Sequence, residues 1–283
     1  MIAIAPPSLS SPTLPHSPQI TWEPLPADFI LPDDPVDNQL QPLLAAALRD
    51  SLELAGLVAD SALIATNFGL CATVNSKIVV KAPDWVYIPQ VKPQPDGAIR
   101  RSYTPQAEGD HPLMVLEFIS ETEGGEYSIN PHYPYGKWHF YERILQVPLY
   151  GIFHPQTNTL ELYRLVNGQY TAQPSNASNR FWIAELNLFL GTWPGQRSAL
   201  STHWLRWWDA AETLLPWSSE VIDQERQRAE QERQRAEQEH QRAEQERQRA
   251  EQAESQLQRE QALRQQLLDR LQALGIDLDG TEA

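Results

Sequence analysis

Apolar positions change their spacing along this chain, and each change marks an element or a boundary. Residues 1–38 are rich in Pro and Ser, and their apolar residues follow no period. That composition predicts a flexible arm. Over residues 39–56 the spacing becomes helical: Leu40, Leu43, Leu44, Ala47, Leu48 and Leu52 share a face, and Gly56 is a natural stop. From Leu63 to Pro174 the apolar runs are short and broken by Gly, Asn and Ser, which predicts mostly strands. The runs are 64–67, 69–74, 78–88, 113–120, 149–154 and 159–165, with 168–172 as an extension of the same sheet. A polar loop over 91–110 carries the pair Arg100 and Arg101. Gly136 to Gln146 reads as a helix, with Trp138, Tyr141 and Leu145 at helical spacing.

Residues 180–217 concentrate Trp, Phe and Leu, as in Arg180-Phe181-Trp182-Ile183 and Trp204-Leu205-Arg206-Trp207-Trp208. These aromatics are expected to complete the core. A base-stacking platform is the other reading, weakened by the lack of interleaved basic residues. From Gln224 the chain repeats Gln-Glu-Arg-Gln-Arg-Ala-Glu with a period of seven, and His240 replaces an Arg in the third copy. Strong helix formers without Gly or Pro up to Gly275 predict one long helix. Its would-be seam holds Ala229, Ala236, Ala243 and Ala250, then Glu232, Glu239 and Glu246, a poor surface for pairing. Leu257, Leu267, Leu271 and Leu274 continue the frame with larger groups, and self-association is expected to depend on them. A coiled coil or interaction helix over 223–274 and a lone charged helix both fit the pattern. The organisation read is an arm (1–38), a globular domain with a Trp-rich extension (39–217) and the long helix (218–283).

Composition narrows the function classes. The net charge of -15 is opposite to the usual nucleic-acid footprint, so tight metal-free binding to DNA is not expected. A single cysteine, Cys71, excludes an internal disulfide and fits a reducing compartment, and the chain reads as cytoplasmic. No apolar run approaches the roughly 20 residues that span a bilayer. The N-terminus lacks the basic residues of a signal peptide.

The candidate chemistry centres on Glu117, set in the apolar run Met114-Val115-Leu116-Glu117-Phe118-Ile119. Apolar neighbours on both sides suggest a strand buried on both faces, where a carboxylate is costly unless paired or metal-bound. Asp84 ends a similar run, with Lys81 close before it. Two acids on neighbouring strands with a lysine nearby can hold Mg²⁺ and cut a phosphodiester, because Mg²⁺ needs only one or two carboxylates. Lys137, near the start of the next helix, is the candidate cation, able to orient water or offset developing negative charge. Bland readings stand beside each: a Pro-Asp turn for Asp84, a structural ion pair with an arginine for Glu117, a solvated helix residue for Lys137. Tyr141, one turn further, reads as packing. The acidic loop with Glu121, Glu123 and Glu126 reads as solvated, though Glu121 could supplement a metal site. No Gly-rich phosphate loop, zinc-spaced histidine pair or Gly-x-Ser-x-Gly elbow is present.

At these residues the chain resembles the Uma-type family of restriction endonucleases, within the PD-(D/E)XK nuclease superfamily. The resemblance rests on Pro83-Asp84-Trp85-Val86, Val115-Leu116-Glu117-Phe118-Ile119-Ser120, Lys137-Trp138-His139-Phe140-Tyr141, Pro148-Leu149-Tyr150-Gly151 and Leu160-Glu161-Leu162-Tyr163, and covers roughly residues 40–193. The Trp-rich extension and charged tail resemble a cyanobacterial subgroup. The resemblance implies an α/β, restriction-endonuclease-like fold: a mixed central sheet flanked by helices. It also implies Asp84 and Glu117 as metal ligands. Two residues after Glu117 stands Ile119 rather than the superfamily's lysine, which points to Lys137 in that role. Glu53 is the nearest candidate for an acid on the early helix. The resulting expectation is a DNA endonuclease using Mg²⁺ or Mn²⁺, assembled through its C-terminal helix with itself or a helical partner. The alternative is a non-catalytic scaffold on the same fold.

Overall fold

The computed structural model describes residues 38–75, 77–94, 98–120 and 125–273. All of the expected arm except Asn38 lies outside the described residues, as do Glu121, Glu123 and Leu274. Helix α1 (Leu40–Leu54) starts where Asn38 Oδ1 accepts the amides of Leu40 and Gln41, at 2.9 and 3.2 Å. It buries Leu44, Ala45, Ala47, Leu48 and Leu52, the face its spacing predicts. It stops at Gly56, whose φ of +68° lets the amide of Leu57 reach back to Leu52 O at 2.9 Å.

The central sheet is built from β1 (Leu63–Ala65), β4 (Trp85–Ile88), β6 (Met114–Phe118), β7 (Leu149–His154), β8 (Thr159–Val166) and β9 (Gln169–Ala172), in that spatial order. Only β6 and β7 run parallel. A parallel pair needs a crossover, and here it includes the segment from Glu126 through α2 (Lys137–His139). A second sheet orders β3 (Lys77–Lys81), β2 (Gly69–Val74) and β5 (Ser102–Tyr103). The third joins β10 (Arg180–Ile183), β11 (Leu188–Arg197) and β12 (Leu200–Trp208).

All five residues of β6 are buried because both faces are covered. Met114, Leu116 and Phe118 belong to a core shared with α1, Trp204, Trp207 and Trp217. Val115 belongs to the opposite core with Phe140, Tyr141, Tyr150 and Ile152. The Trp-rich residues complete the core: Trp207 Nε1 donates to Leu48 O and Trp217 Nε1 to Ala47 O, both at 3.1 Å. With their rings buried, Trp204, Trp207 and Trp217 offer no surface to a base, whereas Trp182 is exposed.

Two elements differ from expectation. The helix predicted over 136–146 is a short α2 followed by a π-helical turn, Phe140–Ile144. The wide turn is closed by Leu145 N to Phe140 O at 2.8 Å, with Phe140 and Tyr141 both sealed in the core. The polar loop before β6 carries the short strand β5, parallel to β2. Helix α3 (Ser218–Ala273) then runs 56 residues, exposed along nearly all its length beyond Asp223. No helix among the described residues is long and apolar enough to cross a membrane.

Candidate active site

Strand alternation sends Val115 and Glu117 to the side of β6 that faces α2 and the π turn, opposite to Met114, Leu116 and Phe118. The carboxylate of Glu117 therefore enters a layer of Tyr141, Tyr150 and Ile152 and has no exposed surface. Oε2 accepts from Lys137 Nζ at 3.1 Å, and Oε1 accepts from the Tyr141 hydroxyl at 3.0 Å. Tyr141, read as packing, is both packed and bonded to the acid. Burial pushes the Glu117 carboxyl up to about 8, and the charges of Asp84 and Glu126 add to this while Lys137 opposes it.

Asp84 immediately precedes β4. Trp85 pairs with Leu116, so one step further along the antiparallel register puts Asp84 opposite Glu117. Its Oδ2 accepts the amide of Phe118 at 2.6 Å, which ties it to the end of β6. The carbonyl of the same Phe118 is held from the other side by Gln41 Nε2 at 2.8 Å.

Lys137 opens α2, and its ammonium bridges Glu117 and Glu126, at 3.1 and 3.3 Å. Burial would lower its pKa, but Glu117 and Glu126 outweigh that and raise it, so it stays charged. The bridge depends on Gly136. A Cβ there would stand 2.0 Å from Ser128 O, so only glycine lets the Glu126 segment lie against the start of α2.

Glu126 corrects the reading of its loop as solvated. It is 7 % exposed, its backbone carbonyl accepts the Tyr150 hydroxyl at 3.0 Å, and its side chain meets Lys137. The other carboxylate oxygen, Oε2, is buried without a hydrogen-bond partner among the described residues. Lys81, at the end of β3, is a second half-buried cation at this cluster. Burial lowers its pKa, the charge of Lys137 lowers it further, and Glu117 opposes.

Asp84, Glu117 and Lys137 thus stand together, joined by Glu126, Lys81 and, through the backbone, Gln41. Glu53 does not join them: it pairs with Arg49 at 2.8 Å on an exposed part of α1. Lys137 and Tyr141 close over Glu117, leaving half-buried Asp84, Lys81 and Lys137 around it. Glu126 and Gln41 carry no sequence signal, because one sits in a glycine-flanked loop and the other on the polar side of an amphipathic helix start.

The donor set fits a hard divalent cation. Asp84 and Glu117 offer carboxylate oxygens, and the buried orphan oxygen of Glu126 leaves acceptor capacity to spare. Among the described residues no three His, Cys, Asp or Glu side chains gather as a ready-made cage.

The family model Uma2, described as "Putative restriction endonuclease", matches residues 30–196. The match spans more than half of the chain and includes every residue of the cluster, and the chain belongs to this family. No curated protein matches the chain.

Proposed function

We propose that this member of the Uma2 family hydrolyses phosphodiester bonds in DNA, with Mg²⁺ or Mn²⁺ held by Asp84 and Glu117 and with Lys137 as the cationic partner. The observation that carries the reading is the Glu117 carboxylate, wholly buried, opposite Asp84 and bonded to Lys137. Bound there, a divalent cation supplies charge neutralisation of the phosphate and a lowered pKa for the attacking water.

The residues divide the remaining work. Asp84 and Gln41 fix both sides of the Phe118 peptide and so hold the end of β6 rigid beneath the substrate. Tyr141 donates to Glu117 Oε1 and holds the carboxylate in one orientation. The Lys137 ammonium offsets the negative charge that grows on the phosphate as water oxygen adds to phosphorus. One P–O ester bond breaks, the departing oxygen takes up a proton, and a phosphate monoester and a hydroxyl result. Lys81 adds a second positive charge for the phosphate. With so acidic a surface, binding to DNA is expected to need the divalent cation and to weaken with salt.

The closure of Glu117 favours one second reading, a non-catalytic scaffold in which Lys137 and Glu117 form a structural pair. A cleavage assay separates the two. Supercoiled plasmid, linear duplex, single-stranded DNA and RNA are incubated with the full chain in Mg²⁺ or Mn²⁺, beside Glu117→Ala and Asp84→Asn. Metal-dependent cleavage of DNA that both variants lose supports the nuclease. Absence of cleavage on every substrate, or cleavage that survives in both variants, supports the scaffold.

A further inference from the structure

The last turns of α3 leave large apolar side chains uncovered: Leu257, Leu263 and Leu267 are each more than half exposed. In the frame set by Ala229 and its repeats, Leu257 and Leu271 occupy the first seam position and Leu267 the second. The preceding repeats cannot supply a partner surface. Both flanks of their seam carry arginine, as at Arg233 and Arg235, so two copies would set like charges together in either orientation. Their charges are instead satisfied within the helix, as in Arg228–Glu225 at 3.0 Å and Arg247–Glu244 at 3.2 Å.

Two polar residues interrupt the leucine seam, Glu260 in the second position and Arg264 in the first. They decide the orientation of a pair. A parallel, in-register pair stacks Glu260 on Glu260 and Arg264 on Arg264. An antiparallel pair sets first positions opposite second positions. Centred between these two residues, it places Glu260 against Arg264 of the second copy, and Leu257 against Leu267 of the second copy. It also places Ala253 against Leu271 and brings the two Leu263 side chains together at the two-fold axis. Leu257, Leu263, Leu267 and Leu271 then each meet an apolar group, and each polar seam residue meets its opposite charge.

We propose that residues 251–273 form an antiparallel pair with the same residues of a second copy, and that the repeats before them are a lone helical spacer. At 1.5 Å per residue the two copies of Ser218 lie about 130 Å apart along the helix axis. The dimer therefore carries two widely separated globular parts, and the pairing needs nothing from the candidate active site.

Sedimentation of the full chain at tens of micromolar, with charge variants, tests the pairing. Glu260→Arg sets arginine against arginine and should weaken the dimer at least tenfold, while Glu260→Arg with Arg264→Glu should restore it. Orientation is read from spin labels on Gln241→Cys in a Cys71→Ala background, where the antiparallel pair gives a separation of about 60 Å. A monomer, a dimer that survives truncation after Gln256, or a label distance near 20 Å would each overturn the proposal.

Discussion

At Glu117 and at Arg206 the fold takes a charged group entirely out of water, and the two places are finished differently. Arg206 has a fork of partners: Nη1 and Nη2 meet Glu220 at 3.0 and 2.7 Å, and Nη2 also meets Leu215 O at 2.8 Å. Its guanidinium lies 3.5 Å from the centroid of the Trp217 ring, and Trp193 covers it further. One positive charge faces one carboxylate, and the pair fastens the start of α3 to β12. Glu117 instead shares one lysine with Glu126 and stands opposite a third acid, Asp84. Burial, with the charges of Asp84 and Glu126 adding to it, keeps its carboxyl shifted up, and an acceptor on Glu126 has no partner among the described residues. A buried charge balanced by one opposite charge is a fastening, although Arg206 Nε, like Glu126 Oε2, has no hydrogen-bond partner among the described residues. A buried charge whose neighbours add like charge is a candidate functional site.

The largest effect that can break this comparison is on catalysis. Glu117→Gln keeps shape and hydrogen-bonding capacity but removes the charge. Cleavage should fall by about a thousandfold, while the melting temperature measured without metal holds steady or rises. A large loss of stability would make Glu117 a fastening like Arg206.

The mirror experiment is Arg206→Met. The charge left behind, Glu220, is 38 % exposed, so the loss comes mainly from the lost hydrogen bonds and is about 1–3 kcal/mol. In a chain of this size that lowers the melting temperature by on the order of 5 °C. Cleavage below that temperature should stay within a few-fold of the parent, since Arg206 touches none of the site residues. Calorimetry beside the cleavage assay checks both halves.

A smaller effect comes from acids on the fastening side. Burial alone would raise Asp50, but the Ser218 hydroxyl and Arg197 outweigh it and hold it below its ordinary value. Glu185 is lowered chiefly by its hydrogen bond to Arg164. Both shifts run opposite to that of Glu117. A carboxyl depressed in the folded state stabilises above its unfolded pKa of about 4 and loses that contribution as pH falls through the folded value. Denaturant midpoints should thus drop between pH 4 and pH 2, and Asp50→Asn should flatten the drop. An unchanged slope in that variant would show that Asp50 does not fasten α1 to α3.

Much of this was legible in the chain. The β6 strand announces itself because a segment buried on both faces must be apolar throughout, so its one carboxylate is conspicuous. Asp84 follows from the same pattern one strand away, and α3 from its repeat. Glu126 was not legible. Its burial depends on the Gly136–Ser128 contact and on Tyr150, all non-local, whereas an acidic stretch beside two glycines looks solvated. Gln41 was missed because helical periodicity reports the apolar face, and its amide works from the other. The π turn leaves no mark in spacing, and Trp-rich segments signal burial without revealing that they pair as β10, β11 and β12.

The most direct measurement is a calorimetric titration of the metal-free protein with Mn²⁺ at pH 8. A site built from Asp84 and Glu117 predicts one ion per chain for the parent and for Arg206→Met, and no specific heat for Asp84→Asn or Glu117→Gln. Equal binding by Glu117→Gln, or no binding by the parent, would contradict it.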